Sequence, residues 1–334
     1  MPVAVRLRGA LRRGRRPILV LGTIVITIAA LWMAVRGVDP SSIATTFREV
    51  RWEWVAAGAA ANAVQVLMFG VAWRLGLAEG SCGSVPLRHV ISATWIGKAG
   101  NAVLPARMGE VARVVVVRRH VCRERGTITR IAGTLVAQRV LNSLAMFIVV
   151  ALIATALPLP VPVPGLRWLA VGAVLALVVT VLVASRYGLG ARIRRRLPHR
   201  LRGMFEAVID GAGILRARGP AVRSLGMHVV AVVAQLATVG CLLHAFGVGA
   251  PATAPLVVLA MVALAGVVPA SPGGIGVTQA AIVVPLGATY HVTANLALAF
   301  ALGLQATILV VAVIGGLAGL AHQRLSRPSV AGVP

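Results

Sequence analysis

Five polar side chains stand close together in a part of the sequence that is otherwise apolar: Lys98, Asn101, Arg107, Glu110 and Arg113. If a helix begins just after Pro105, the last three of these are spaced three residues apart and share one helix face. Glu110 then neutralises one arginine and leaves the group with a net positive charge. Lys98 is the only lysine of the chain.

This group has the chemistry of a phosphate-binding site. A guanidinium binds phosphate through two parallel N–H groups, and the start of a helix adds unpaired N–H groups and a positive dipole end. The pattern therefore favours an anionic phosphate headgroup as ligand. The alternative is a helix near the inner membrane surface whose arginines extend to water.

A second interrupted apolar segment contains glycines instead of charges. Its residues are Ser271, Pro272, Gly273, Gly274 and Gly276, followed by Gln279. Glycine adopts backbone conformations that other residues avoid, and it lets a ligand or a second helix approach the main chain. Short interrupted segments of this kind, one in each half of a membrane protein, are typical of transporter binding sites. A tight helix crossing is the alternative.

Further polar residues lie within the long apolar stretches. Gln138, Arg139 and Asn142 occupy neighbouring turns, and Arg139 pairs either with Glu110 or with substrate. Asn62, Gln65, Gln235 and Gln305 either line a cavity or form interhelical hydrogen bonds worth about 0.6 kcal/mol each. His228, His244 and His291 lie near the ends of predicted spans, which is typical of interfacial residues.

The composition predicts the all-α fold of a polytopic membrane protein. Apolar residues make up 58% of the 334, charged residues only 12%, and the mean hydropathy is +0.90. Six stretches are long enough to span a bilayer: Pro17–Val35, Trp54–Trp73, Ile131–Leu157, Leu166–Ala184, Val222–Phe246 and Ala294–Leu320. The two interrupted segments, 85–118 and 254–288, are predicted to be re-entrant hairpins, since each half has only ~15 residues.

The placement of basic residues predicts the orientation. Most of the 33 lysines and arginines fall in the N-terminal tail 1–16, the loop 186–221, the C-terminal tail 322–334 and short loops on the same side. The positive-inside rule puts these segments and both termini in the cytoplasm of a plasma-membrane protein. The loop 186–221 is either an amphipathic helix on anionic inner-leaflet lipids or a solvated linker. The net charge of +25 therefore does not indicate nucleic acid.

One transmembrane domain, 1–334, is expected, and its topology suggests an inverted repeat. Two spans, a hairpin and a third span form a unit that starts inside, and the same order follows starting outside. The substrate cavity is expected between the two hairpins. Cys82, Cys122 and Cys241 have no spacing typical of a disulfide framework or a metal site.

Two motifs carry a family resemblance. The first consists of Asn101, Leu104, Pro105, Arg107, Gly109, Glu110 and Arg113, and the second of Pro269, Ser271, Pro272, Gly273, Gly274 and Gly276. With both in order, the chain resembles the transmembrane, flippase-like family named for lysylphosphatidylglycerol synthase. The resemblance implies movement of phospholipids or lipid-linked sugars between leaflets. It does not imply synthase activity, since the soluble aminoacyl-transferase domain of bifunctional members is missing. Members often carry acids where this chain has Gln138 and Asn142, which puts proton coupling through those positions in doubt.

The leading hypothesis is therefore a flippase-like carrier without catalytic residues, metal or cofactor. Its substrate is a phospholipid or a lipid-linked headgroup. The alternative is a membrane anchor or accessory subunit of a separately encoded synthase or glycosyltransferase. A lipid-phosphate transferase is a minor alternative, since Glu110 is the only acid at membrane depth and such chemistry commonly needs acidic ligands or bases.

Overall fold

The long apolar segments fold as helices. The computed structural model describes residues 39–80, 85–104, 108–121, 127–156, 213–215, 217–265 and 276–326. In these ranges there are nine α-helices and no strand. They are α1 (Pro40–Arg48), α2 (Trp52–Gly80), α3 (Leu87–Val103), α4 (Met108–Arg118), α5 (Thr127–Ala156), α6 (Arg218–Ala245), α7 (Ala254–Ala265), α8 (Val277–Tyr290) and α9 (Ala294–Leu325). A single 3-10 turn covers Gly213–Leu215.

Four of the six predicted spans are present as helices long and apolar enough to cross a membrane: α2, α5, α6 and α9. Apolar side chains such as Ile314 and Leu317 are exposed along α9, as expected for a surface that faces lipid. The chain is thus an all-helical, multi-pass membrane protein. The predicted spans Pro17–Val35 and Leu166–Ala184 lie outside the described residues, as do the tail 1–16 and most of the loop 186–221.

Each predicted hairpin segment contains two short helices. In the first, α3 and α4 run antiparallel: Gly97 contacts Gly109 near the tip, and the rings of His89 and His120 stack at the base with centroids 4.0 Å apart. In the second, α7 and α8 contact each other. Entry of either hairpin from one membrane face stays a prediction.

The described helices form two compact units. Unit 1 comprises Met1–Val55, Val103–Ala106 and Val239–Ala306, and unit 2 comprises Ala56–Ala102, Arg107–Thr238 and Thr307–Pro334.

Unit 1 holds the short helix α1 through its first and last residues. The Asp39 carboxylate accepts hydrogen bonds from the backbone N–H groups of Ser41 and Ser42, and its own N–H donates to Asn295 Oδ1 at 3.0 Å. Hydrogen bonds from the two serines hold the pKa of Asp39 below its usual range. At the other end, Phe47 packs edge-on against Phe246. The cap and the aromatic pair hold α1 against α9 and against Phe246, the residue that follows α6.

Unit 2 is built around the base of the first hairpin. Trp73, Val90, Val117 and Ile131 belong to one buried cluster, which joins α2, α3, α4 and α5. The Trp73 indole N–H donates to Thr134 Oγ1 at 2.9 Å. These contacts anchor the hairpin on two spanning helices.

The crossing of α3 and α4 requires glycine. A Cβ on Gly97 would lie 3.0 Å from the Gly109 carbonyl oxygen and 3.0 Å from Arg113 Cδ. A Cβ on Gly109 would overlap the Gly97 carbonyl and lie 2.5 Å from the backbone nitrogen of Asn101. Backbone therefore meets backbone here, which is how small residues let membrane helices approach closely.

We expect Gly109→Ala to destabilise the protein, because the extra methyl group would force the two hairpin helices apart. Overpacking of this kind costs about 1–3 kcal/mol. Thermal unfolding in detergent should show a melting temperature lowered by several degrees. Gly226→Ala in α6 is the matched control, since a Cβ there meets no atom within 4 Å. Equal melting temperatures for the two variants would contradict the tight crossing.

Candidate functional site

Arg113 is the centre of the polar group predicted from the sequence. Its side chain is 11% exposed, and its guanidinium carbon lies 4.0 Å from the centroid of the Trp73 ring. Nη2 donates to Gln138 Oε1 at 2.6 Å, and Nη1 donates to Glu110 Oε2 at 3.3 Å. A charge buried in a membrane protein needs such partners. Helices α2, α4 and α5 each provide one of them.

Glu110 is the more accessible member of the ion pair. Its side chain is 43% exposed, and it lies three residues before Arg113 on α4, as the spacing predicts. One carboxylate oxygen accepts from Arg113 and the other accepts from Asn101 Nδ2 at 3.3 Å. Because Glu110 lies in the first turn of α4, the helix dipole also favours its negative charge. It is therefore held by several weak contacts and not by burial.

The local sequence explains this arrangement. Helix α4 begins at Met108, and Gly109 brings its first turn against α3. That contact places Asn101 of α3 beside Glu110. Glu110 also acts electrostatically on Lys98, one residue after the crossing glycine of α3. The net positive charge of this group stays a prediction from the sequence.

Part of the hydrogen-bonding capacity of Arg113 is unused. Its Nε is buried and has no partner among the described residues, and the same holds for Asn101 Oδ1. The edge of a guanidinium that includes Nε can bind two oxygens of one phosphate or carboxylate. A second anion, or a shift of Glu110, would engage this donor.

The structure separates Arg139 from the other candidate residues. Arg139 is exposed on α5, whereas its neighbour Gln138 is partly buried and donates from Nε2 to the Phe69 carbonyl oxygen at 2.9 Å. Both oxygens of Glu110 bind Asn101 and Arg113, so the described contacts contain no Glu110–Arg139 pair. Arg107 and Pro105 lie outside the described residues.

The second motif is only partly described. Ser271, Pro272, Gly273 and Gly274 lie outside the described residues. Gly276 has φ 89°, a conformation that favours glycine, and it precedes the first turn of α8. Its N–H donates to Gln279 Oε1 at 2.6 Å, and Gln279 Nε2 donates to Gln305 Oε1. In unit 1 these two glutamines therefore serve as interhelical contacts.

Two buried side chains of unit 2, Trp73 and His228, make contacts in the structure that were not predicted from the sequence. Trp73 stacks on Arg113. In the sequence it is only the last residue of a predicted span, and no local pattern indicates this contact. His228 was expected to be interfacial, and its position relative to a membrane interface stays a prediction. Its side chain is fully buried within the protein, and its ring lies 5.7 Å from that of Phe69. Helix α6, which carries it, begins at Arg218, about one turn before the predicted span.

The comparison with known families agrees with the motifs. The family described as lysylphosphatidylglycerol synthase TM region matches residues 19–316. The chain belongs to this family. Lysylphosphatidylglycerol synthase TM regions are membrane domains linked to lipid modification or flipping, and they are often paired with a soluble transferase domain. None of the curated proteins compared with the chain matches it.

Within the described residues of this family member, no group of three or more His, Cys, Asp or Glu side chains is placed to hold a metal ion. The described site consists of the buried Arg113 guanidinium, Lys98 and the partly exposed Glu110 carboxylate.

We expect Gln138→Leu to destabilise the protein by about 1–3 kcal/mol, because Arg113 and the Phe69 carbonyl each lose a partner. Gln235→Leu in α6 is the matched control, since the side chain of Gln235 has no hydrogen bond to another described residue. Denaturant unfolding in micelles provides the measurement.

A double-mutant cycle separates the Arg113–Gln138 contact from general packing. In an Arg113→Leu background, Gln138→Leu should cost about 1 kcal/mol less than it does alone. Strict additivity of the two changes would show that the short hydrogen bond contributes nothing to stability.

Proposed function

We propose that the chain moves phospholipids or lipid-linked headgroups between leaflets, with the lipid phosphate held by Arg113, Lys98 and Arg107 of the first hairpin. The observation that supports this is the partly used guanidinium of Arg113 beside a half-exposed carboxylate. A purely structural arginine at membrane depth would be expected to have all its donors satisfied. Here Nε is buried without a partner among the described residues.

Glu110 acts in this proposal as the occupant of the site when no lipid is bound. A phosphate entering the site replaces the carboxylate and binds the guanidinium through two oxygens. One anion is exchanged for another, so the buried positive charge is never left unpaired, which would cost several kcal/mol. When the lipid leaves, Glu110 returns to Arg113.

Gln138 and Trp73 keep the guanidinium in place during this exchange. Gln138 binds Nη2 at 2.6 Å, and Trp73 covers one face at 4.0 Å. Neither contact uses Nη1, the atom that binds Glu110. The arginine is thus held ready for its ligand, which lowers the entropic cost of binding. Asn101, which donates to Glu110, can donate equally to a phosphate oxygen.

The proposal places the protein in the plasma membrane, with both termini and the basic loop in the cytoplasm. It includes no bond-making step, so the chain acts as a carrier and not as an enzyme. Anionic inner-leaflet lipids are the expected partners of the loop 186–221. The accessory-subunit alternative predicts the same membrane location without leaflet exchange.

We expect Arg113→Gln to abolish leaflet exchange, because the phosphate loses its main ligand. Glu110→Gln should slow exchange, since no carboxylate is left to displace the bound phosphate. Purified protein in liposomes with fluorescent phosphatidylglycerol or phosphatidylcholine, quenched from outside, measures the rate. A tenfold decrease corresponds to about 1.4 kcal/mol. Arg118→Gln, on the same helix but exposed, is the matched control and should keep the wild-type rate.

Wild-type rates equal to those of empty liposomes for anionic, zwitterionic and lipid-linked sugar substrates would reject the carrier. In that case, recovery of a synthase with the tagged chain from native membranes would support the accessory subunit. Equal loss in Arg113→Gln and Arg118→Gln would contradict the assignment of the phosphate site.

A further inference from the structure

Unit 2 contains a second group of buried polar atoms, formed by Asn62, Asn142 and His228. Asn62 is 2% exposed and His228 is 0% exposed. The atoms Asn62 Oδ1, Asn142 Oδ1 and His228 Nε2 are buried and have no hydrogen-bond partner among the described residues. Burial of such a group without a partner is unfavourable. Three in one unit of a membrane protein therefore point to a function.

Helix register brings Asn62 and Asn142 to similar depth. Helices α2 and α5 are antiparallel, because Trp73 binds Thr134 and the Phe69 carbonyl binds Gln138. One turn further, about 6 Å along each helix, Asn142 is level with Gln65. Asn62 donates to Gln65 Oε1 at 2.9 Å.

Helix α6 brings His228 to the same depth. Leu225 packs against the buried cluster of Ala137 and Leu141, and Val232 belongs to the cluster of Ala145 and Val149. His228 lies between Leu225 and Val232 and packs against the Phe69 ring. It is therefore level with the turn of α5 that carries Asn142.

The hydrogen bonds of His228 define its neutral tautomer. Nδ1 lies 2.7 Å from the backbone carbonyl oxygen of Ser224. A carbonyl oxygen can only accept, so Nδ1 carries the proton and Nε2 presents a lone pair. Asn62 uses its NH2 group on Gln65, which leaves its oxygen as an acceptor. Each of the three atoms is thus an acceptor that binds no donor of the described residues.

Protonation would convert His228 Nε2 from an unpartnered acceptor into an N–H donor. Imidazole is the side chain whose ordinary titration range is closest to neutral pH, and ionisable groups at membrane depth are often parts of proton pathways. The proton would move from water to the Nε2 lone pair and later return, with no other bond changed.

The helices around His228 carry more arginines than carboxylates. The charged residues are Glu53, Arg74 and Glu79 on α2, Arg130 and Arg139 on α5, and Arg218 and Arg223 on α6. In addition, Arg113 of α4 reaches the Phe69 carbonyl through Gln138, with Glu110 as its partner. Cations outnumber carboxylates in this set. A bound anion at Arg113 would add negative charge and so favour the protonated form of His228.

We propose that His228 takes up a proton when an anionic headgroup binds at Arg113 and releases it when the headgroup leaves. The inference rests on the proposed phosphate site and adds the coupling ion to it. By linkage, anion and proton raise each other's affinity by the same factor. A proton gradient across the membrane would then drive net movement of an anionic lipid.

Nitrogen NMR of the protein with ¹⁵N-labelled histidine tests the coupling directly. The full chain is placed in nanodiscs of phosphatidylcholine alone or with phosphatidylglycerol, and His228 is assigned with His228→Gln or, if that variant does not fold, His228→Asn. We expect the neutral Nδ1–H form at neutral pH in phosphatidylcholine. Phosphatidylglycerol should raise the protonation midpoint of His228 by about one to two pH units, a 10- to 100-fold coupling.

Two controls complete the experiment. Arg113→Gln should abolish the shift in midpoint, whereas His291→Asn, which removes an exposed imidazole of unit 1, should leave it unchanged. A His228 signal that stays neutral down to about pH 4.5 in both lipids would overturn the inference. A protonation midpoint of His228 that is the same with and without phosphatidylglycerol would also overturn the inference.

The readout is independent of leaflet exchange. If exchange is normal but His228 does not titrate, the coupling fails and the carrier stands. If exchange is absent but the midpoint still moves with phosphatidylglycerol, the carrier fails and the coupled anion and proton site stands.

Discussion

The burial of one guanidinium constrains much of unit 2. Arg113 cannot be left alone at membrane depth, because an unpaired charge there is costly. Its neutralisation requires Glu110 one turn earlier, a polar Gln138 on a spanning helix, and the face of Trp73. Each of these comes from a different helix, so α2, α4 and α5 must be packed in one register. The interaction that makes the site therefore also orders the fold around it.

The hairpin can satisfy this requirement only because its two helices touch at Gly97 and Gly109. With any side chain at the crossing, α3 would move away and Asn101 would no longer reach Glu110. Close packing and site geometry depend on the same two glycines. Glycine at both positions of this crossing is thus required for the close packing of the two helices and for the contact between Asn101 and Glu110.

Two polar centres of unit 2 share the α2–α5 interface. The proposed phosphate site lies at the level of Gln138, and the buried acceptor atoms near His228 lie about one turn away. Low polarity between them would strengthen any charge interaction relative to water. Exchange of a carboxylate for a lipid phosphate, and uptake of a proton by imidazole, are in this view two parts of one charge-balancing step.

The sequence by itself determined what depends on local periodicity. Apolar length predicted the helices that became α2, α5, α6 and α9. The three-residue spacing predicted that Glu110 neutralises one arginine of the same face, which in the structure is Arg113. The two motifs were sufficient to identify the family. By contrast, only the tertiary structure decided that Gln138 binds Arg113, that Arg139 is exposed, and that His228 is buried. The physical reason is that a helical repeat fixes which residues share a face, whereas contacts between helices depend on their relative register and rotation, which no local pattern specifies.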